Sequence, residues 1–316
     1  MRYVPLLAML VLTGCSIHPI PDDVSQYSTE DIVQNVRCEA KAAVRDRIKL
    51  GLVGVGLTDM VPDTVLEKKE DLARVRRISP ILASTFEAYG ASSISYDFEF
   101  KINEHDGTQA SANFAMPFTN GNVSAGISGG LDKIRAGDRH FATVETFRDL
   151  AKLHCDKFAA PDKNIVYPMT GSVGIYKVMN TFISLTELGG GKGTFTDTLT
   201  FTTTVGGSVN PTLVLSAVPK SFNLVNANAT LADTRTDVHQ LIVSLVFPTA
   251  DLRTARPDAN AGLVLRATNL VAADTKARAL EELCIAREES REVAAGTLRL
   301  YPPEVYCRPR LLPLPQ

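Results

Sequence analysis

The segment Ile94–Ile102, which reads ISYDFEFKI, alternates strictly between apolar and polar side chains. Successive side chains of a β-strand point to opposite faces, so this period of two predicts a strand with one buried face and one wet face. Asp106-Gly107 then offers a tight turn, and the alternation resumes from Ala110 to Phe118. Because a half-buried strand needs neighbours and a covering layer, this stretch predicts the start of an antiparallel sheet.

The same alternation continues beyond Phe118. Asn120-Gly121 is a second turn signal, and Val123 to Leu131 keeps the period of two, so three strands with short turns predict an antiparallel meander. Gly206-Gly207 is a third turn signal. Further strands are predicted at 195–205, 212–218, 222–231 and 240–247.

Helical spacing flanks the predicted strands. Apolar residues from Ile32 to Ile48 fall on one helix face, and Ser28 with Asp31 has the spacing of a capping box, although Glu or Gln is more usual at the second position. Further helices are predicted around 65–75, at 144–155 and at 274–294. The sequence therefore predicts a β-rich α+β protein, in which an antiparallel sheet or meander packs against a few amphipathic helices.

The first sixteen residues carry an export signal. Arg2 is positive, Val4 to Leu12 is apolar but too short to span a bilayer, and the run ends in Leu12-Thr13-Gly14-Cys15. This arrangement resembles the lipobox of bacterial lipoproteins. The resemblance implies that residues 1–14 are a signal peptide and that Cys15, the new first residue, carries lipid such as palmitate.

The residue after the cysteine bears on the choice of membrane. Ser16 stands where inner-membrane lipoproteins tend to have aspartate, so the chain resembles the outer-membrane class. Residues 15–27 are then a polar tether, and residues 28–295 are predicted to form a single domain. That domain is predicted to be helical over 28–90, β-rich over 94–250 and helical over 274–294. The proline-rich residues 296–316 are predicted to be an extended tail.

The chain has five cysteines. If Cys15 carries lipid, an even number remains, which in an oxidising compartment predicts two disulfides. Three connectivities of these four cysteines are possible. We favour Cys284–Cys307, which closes a short loop and holds the tail, and this leaves Cys38–Cys155, which joins two predicted helices. No cysteine or histidine spacing is typical of zinc, so no metal site is predicted.

The composition limits which classes of partner the protein is expected to bind. The formal net charge is -2, and this lack of basic excess argues against nucleic acid as a partner. No cofactor motif is present, since the lysine of the glycine-rich segment 189–193 is followed by glycine rather than by the Ser or Thr of a phosphate loop.

One motif suggests an enzyme. Gly126–Gly130 matches the GxSxG elbow of serine hydrolases, with Ser128 as nucleophile and His154 or His239 as its base. The elbow joins a buried strand to a helix, whereas the alternation around Ser128 predicts an antiparallel sheet. His154 falls on the apolar side of a predicted helix, and His239 starts a predicted strand. The sequence therefore favours a role without catalysis.

These observations predict a lipid-anchored protein of the cell envelope. It would contact the outer membrane through Cys15, face the periplasm or the exterior, and hold an envelope protein partner in a structural or binding role. One alternative is an outer-membrane β-barrel or pore component, because barrel strands also alternate; the absence of tryptophan and the intervening helices argue against it. The other is a serine hydrolase using Ser128.

Overall fold

The computed structural model describes Pro19, Pro21, Met169, Cys307 and the ranges 27–118, 121–156, 171–187, 193–214, 223–248 and 261–295. Within these ranges seven helices and an antiparallel open sheet form an α+β fold, as predicted. The predicted signal peptide, the predicted lipidation site Cys15 and the predicted tail apart from Cys307 lie outside the described residues.

Five strands make up the sheet. In chain order they are β1 (Ser93–Phe118), β2 (Gly121–Thr146), β3 (Thr194–Val209), β4 (Thr212–Val214) and β5 (Asn223–Val246). The order across the sheet is β2-β1-β5-β3, and β4 pairs with β5 as well. Thr212 lies opposite Asn228 and Val214 lies opposite Asn226 in that antiparallel pair.

The strands are much longer than predicted. Asp106-Gly107 lies inside β1 and Gly206-Gly207 inside β3. The two strands predicted at 222–231 and 240–247 are replaced by the single strand β5, which spans Asn223–Val246. The predicted three-strand meander is therefore wrong, and its three segments form the hairpin of β1 and β2. Glycine at position 107 is explained by a close approach, since a Cβ there would lie 3.3 Å from the Asp132 carboxylate.

Seven helices are present in the described ranges. They are α1 (Thr29–Gly54), α2 (Pro62–Glu67), α3 (Lys69–Ile78), α4 (Pro80–Ala91), α5 (Phe147–Ala151), α6 (Ile175–Glu187) and α7 (Ala261–Ala295). The capping box at the start of α1 is confirmed, because Ser28 Oγ accepts from the Asp31 N–H at 3.1 Å and the Asp31 carboxylate accepts from the Ser28 N–H at 3.2 Å.

Three helix predictions need correction. The helix predicted at 144–155 is reduced to α5, because β2 continues to Thr146. Helix α6 was not predicted and lies within the segment predicted to be β-rich. Helix α7 begins at Ala261, thirteen residues before the predicted start. Among those of its residues whose burial is described, Thr275, Ala279 and Leu283 are buried.

The described chain forms two compact units. The sheet unit comprises the described residues of 100–139 and 202–238, and the core unit comprises the described residues of 27–99, 140–201 and 239–316. In the core unit, the ring of Phe247 packs against three others, with centroids 5.6 Å from Tyr89, 6.3 Å from Phe147 and 5.0 Å from Phe182. These aromatic contacts join β5 and the residue after it to α4, α5 and α6.

Two disulfides lie in the core unit. Cys38 of α1 is bonded to Cys155, with their Cα atoms 5.7 Å apart, and Cys284 of α7 is bonded to Cys307, with Cα atoms 5.6 Å apart. Both predicted pairings are confirmed.

Asp149 should give the stability of the core unit a pH dependence. Burial alone would raise the pKa of its carboxyl, but hydrogen bonds from the Thr146 hydroxyl and N–H and from Lys276 outweigh burial and lower that pKa. A carboxyl with a lowered folded pKa stabilises the fold above its unfolded pKa, about 3.9, and loses this contribution as pH falls through the folded value.

We therefore expect Asp149→Asn to lower the free energy of unfolding by about 1 kcal/mol at pH 7, as for other lost helix caps. At an acid pH below the folded pKa of Asp149, the variant and the parent protein should differ little, because the parent carboxyl is then protonated. Urea denaturation at both pH values measures this, with the exposed Asp156→Asn as control. An equal loss at both pH values would contradict the assignment.

Candidate functional site

One face of the sheet unit is polar. A Cβ on Gly126 of β2 would lie 2.9 Å from Asn113 Oδ1 of β1, and a Cβ on Gly130 would lie 3.4 Å from Gln109 Cγ. These four residues therefore share a face. Ser128 lies between the two glycines and belongs to the same face, because every second residue of a strand points the same way.

The two remaining long strands continue this face. Asn228 and Thr230 of β5 line a shallow depression together with Ser128. Thr234, which has the same strand parity as Asn228, would lie 3.2 Å from a Cβ on Gly206 of β3. The polar face, as we call it, therefore extends over β2, β1, β5 and β3.

The opposite face of the sheet unit, which we call the apolar face, carries aliphatic and aromatic side chains. Its members are Ala110, Ala112, Phe114, Met116, Val123, Ala125, Ile127, Leu131, Val205, Val209, Ala227, Ala229 and Leu231. Several of the large ones are open: Ile127 is 67% exposed, Leu131 62% and Val209 64%. Single exposed apolar residues are ordinary, but a contiguous apolar face marks an interaction surface.

Charged side chains lie at one end of the apolar face. Past Leu131 on β2, Arg135 contacts Glu104 of β1 at 2.8 Å and Asp106 at 3.2 Å. Past Leu231 on β5, Arg235 contacts Asp237 at 3.0 Å. We call these five ionic residues the charged belt.

The belt is partly shielded from water. The Asp237 side chain is buried, and this burial raises the pKa of its carboxyl despite the opposing pull of Arg235. The negative charge of Glu104 also raises the pKa of Asp237, so the Glu104 carboxylate lies within electrostatic reach of Asp237. The belt therefore joins β1 and β5 as well as β1 and β2.

A second ionic group lies in the core unit. Asp97 of β1 accepts a hydrogen bond from His140 Nε2 of β2 at 2.5 Å and lies 3.8 Å from Arg287 Nε of α7. Burial raises the pKa of Asp97, against the attraction of both partners. Arg37 of α1 donates two hydrogen bonds to Glu145, at 2.8 and 2.6 Å. These contacts hold α1 and α7 against the strands.

The three residues predicted from the GxSxG motif occupy unrelated positions in the fold. Ser128 is exposed in the middle of β2, which continues to Thr146, so no strand-to-helix elbow forms there. His154 is exposed after the end of α5, not on a buried helix face as predicted. His239 is buried well inside β5 rather than at its start. Ser128 belongs to the sheet unit and both histidines to the core unit.

Two other kinds of site are absent from the described ranges. No group of three or more His, Cys, Asp or Glu side chains there is placed to hold a metal ion. The helices of those ranges include none with the length and apolar character needed to cross a membrane.

The charged belt has a signal in the sequence that local alternation does not reveal. On β1, β2 and β5, the positions that carry apolar residues change to charged ones beyond the apolar face: Asp106 and Glu104, Arg135, and Arg235. The change from apolar to charged residues, at every second position along each strand, marks where the apolar face ends. It becomes visible only when the three strands are known to be continuous neighbours.

The fold and this surface define an α+β protein built on long antiparallel strands that are amphipathic over much of their length. The family described as "Uncharacterised protein y4kA" has a model that matches residues 18–300, and the chain belongs to this family. The uncharacterized protein y4kA of Sinorhizobium fredii (strain NBRC 101917 / NGR234) is a relative. It is 26% identical over 259 residues, which cover 75% of this chain and 80% of the relative.

Proposed function

We propose that the protein is a lipid-anchored component of the cell envelope whose sheet unit enters the outer membrane as part of a β-barrel or pore. The observation that carries this proposal is the exposed apolar face. Burying apolar surface is favourable by about 25 cal/mol per Å². Transfer of these exposed apolar side chains from water into lipid would therefore be favourable.

The dimensions of the apolar face fit a bilayer. On β2 it runs from Val123 to Leu131, a length of nine residues. A tilted membrane strand needs about 9–11 residues to cross the hydrocarbon layer. The charged belt follows within a few residues, since Arg135 lies four residues beyond Leu131, where a strand would leave hydrocarbon for the headgroup region.

The polar face fits the other side of such a structure. The lumen sides of membrane barrels are polar, whereas the lipid sides carry an apolar band. Asn113, Ser128, Asn228 and Thr230 supply hydrogen-bonding groups on the face opposite Ile127. The alternation that predicted a half-buried soluble sheet is thus equally suited to a sheet between lipid and water.

The lipobox supports the same location. An acyl group on Cys15 would hold the sheet close to a membrane, and one acyl chain alone gives only weak, reversible attachment, so a second contact adds much to binding. A structural role, in which an envelope protein covers the apolar face in place of lipid, is the second candidate. The same exposed side chains favour it.

Fluorophores on alternating positions of β2 distinguish these two candidates. Single variants Val123→Cys and Ile127→Cys probe the apolar face, and Ser124→Cys and Ser128→Cys are their matched neighbours on the polar face. Each carries an environment-sensitive dye, and the full acylated protein is reconstituted in phosphatidylcholine–phosphatidylglycerol vesicles that contain a chain-linked nitroxide quencher.

We expect blue-shifted, quenched emission at 123 and 127 and water-like emission at 124 and 128. Water-like emission at all four positions would contradict membrane insertion and would favour the protein partner. Quenching at all four positions would contradict a two-sided sheet with one polar face.

A further inference from the structure

We infer that copies of this chain associate edge to edge in a closed ring, with β2 of one copy paired to β3 of the next. This inference rests on the proposed function and names the partner that completes it. Its basis is the strand order β2-β1-β5-β3, in which β2 and β3 are the outer strands among those described.

The need for a partner follows from the number of strands. The described part of the chain gives an open sheet with four long strands, whereas membrane barrels start at about eight. An open edge in hydrocarbon leaves backbone N–H and C=O groups without hydrogen bonds, at a cost of several kcal/mol for each group. At least two copies must therefore contribute strands, and both outer strands must be paired.

Strand direction selects how copies can pair. Neighbours in the sheet are antiparallel, so directions alternate across β2, β1, β5 and β3, and β2 runs opposite to β3. When two copies point the same way, β3 of one beside β2 of the other forms an antiparallel pair. The polar faces of both copies then lie on one side, and the apolar faces on the other.

Pairing like edges does not satisfy the same conditions. An antiparallel pair of two β2 strands reverses one copy, so the two charged belts lie at opposite ends of the pair. A parallel pair with both copies pointing the same way places the polar face of one beside the apolar face of the other. Copies anchored at one membrane surface must share orientation and face, which leaves the β2–β3 pair.

This pair is heterologous, so each copy keeps one free edge after it binds. Repeating the contact gives a ring when the rotation closes and a filament when it does not. In a bilayer the ring is the form that leaves no open edge.

Crosslinking between the two edges tests the inference. Ser208→Cys marks the exposed polar-face side of β3, and it is combined in turn with Ser124→Cys, Ser128→Cys or Asp132→Cys on β2. Barrel strands are staggered, so the three β2 positions sample registers of the correct parity. A short bismaleimide is added to the acylated protein in the same vesicles, and products are separated on denaturing gels.

We expect at least one of these pairs to give crosslinked oligomers: a dimer if two copies close the ring, and a ladder beyond the dimer if more copies do. Each single variant should remain monomeric, and Ser208→Cys with Ile127→Cys, whose thiols lie on opposite faces, is the matched control. Monomers from every pair, or dimers from Ser128→Cys alone, which report a β2–β2 contact, would overturn the ring.

The fluorophore experiment separates this inference from the proposed function. Lipid contact at position 127 combined with monomers from every pair would overturn the ring and leave membrane insertion standing. A ladder together with water-like emission at position 127 would support the edge contact and contradict membrane insertion.

Discussion

Removing the Cys38–Cys155 disulfide should destabilise the core unit more than removing the Cys284–Cys307 disulfide. The first bond links residues 117 positions apart, whereas the second links residues 23 positions apart. In the chain-entropy model the longer loop contributes about 5 kcal/mol and the shorter about 3 kcal/mol, because a longer loop restricts the unfolded chain more.

Urea unfolding of Cys38→Ser/Cys155→Ser, compared with Cys284→Ser/Cys307→Ser, measures the difference. We expect the first double variant to be the less stable by about 1–2 kcal/mol, and both to unfold at lower urea than the parent. The second double variant is the matched control, since it also removes two cysteines and one bond. Equal losses, or a greater loss from the second pair, would contradict the loop-length argument.

Ile127→Arg should prevent the sheet unit from entering a membrane while leaving its fold in water intact. Ile127 lies near the middle of the nine-residue apolar length of β2 and is 67% exposed, so a larger charged side chain meets no packed neighbours. At a lipid-facing position near the bilayer centre, arginine costs about 2–4 kcal/mol. This corresponds to about a 30- to 1000-fold lower equilibrium for insertion.

Ser128→Arg is the control for that experiment. It places the same charge one residue along the same strand but on the polar face, so we expect near-normal insertion. Flotation with vesicles after an alkaline wash gives the inserted fraction, and circular dichroism melting checks the fold. Equal insertion defects in both variants would show that charge, and not the face it occupies, is responsible.

The strand faces could be predicted from sequence because they depend on neighbours two residues away. The alternation over Ile94–Ile102 marks one continuous part of β1, as expected. The prediction that its polar face is wet is wrong, because Ser95 and Asp97 are buried, and Ser95 Oγ donates to the Ala279 carbonyl of α7 at 2.8 Å. Strand length depends on more distant residues. Gly107 and Gly206 look like turn residues locally, and only the side chains of Asp132 and Thr234 across the sheet show why glycine is needed inside a strand.

Helix α6 illustrates the same limit. Its start is held by Glu39 of α1, whose carboxylate accepts from the N–H groups of Val173 at 2.6 Å and Gly174 at 3.0 Å. Asn35 of α1 donates to the Gly171 carbonyl at 2.7 Å. A helix whose N-terminal groups are satisfied from more than a hundred residues away lacks the local capping signature that sequence reasoning uses.

Some features of the candidate site could likewise be predicted from the sequence and others could not. The disulfides could be predicted because an even cysteine count leaves few pairings, and both pairings are confirmed. The GxSxG match could not reveal that Ser128 stays within a strand, since a five-residue pattern carries no information about the structure of the residues after it. The apolar and polar faces were visible as alternation, but their extent across four strands required the strand order.

The charged belt lies at one end of the apolar face only, so the two ends of the sheet unit differ in charge. If the proposed function holds, the end of the sheet unit where β1 ends and β2 begins reaches the far side of the membrane first. The ionic residues around Arg135 and Arg235 would then stop the strands from inserting further into the bilayer. The number of residues between the connection and the belt would act as a ruler for membrane thickness. Lengthening β1 and β2 by two residues each should match the sheet to a thicker bilayer.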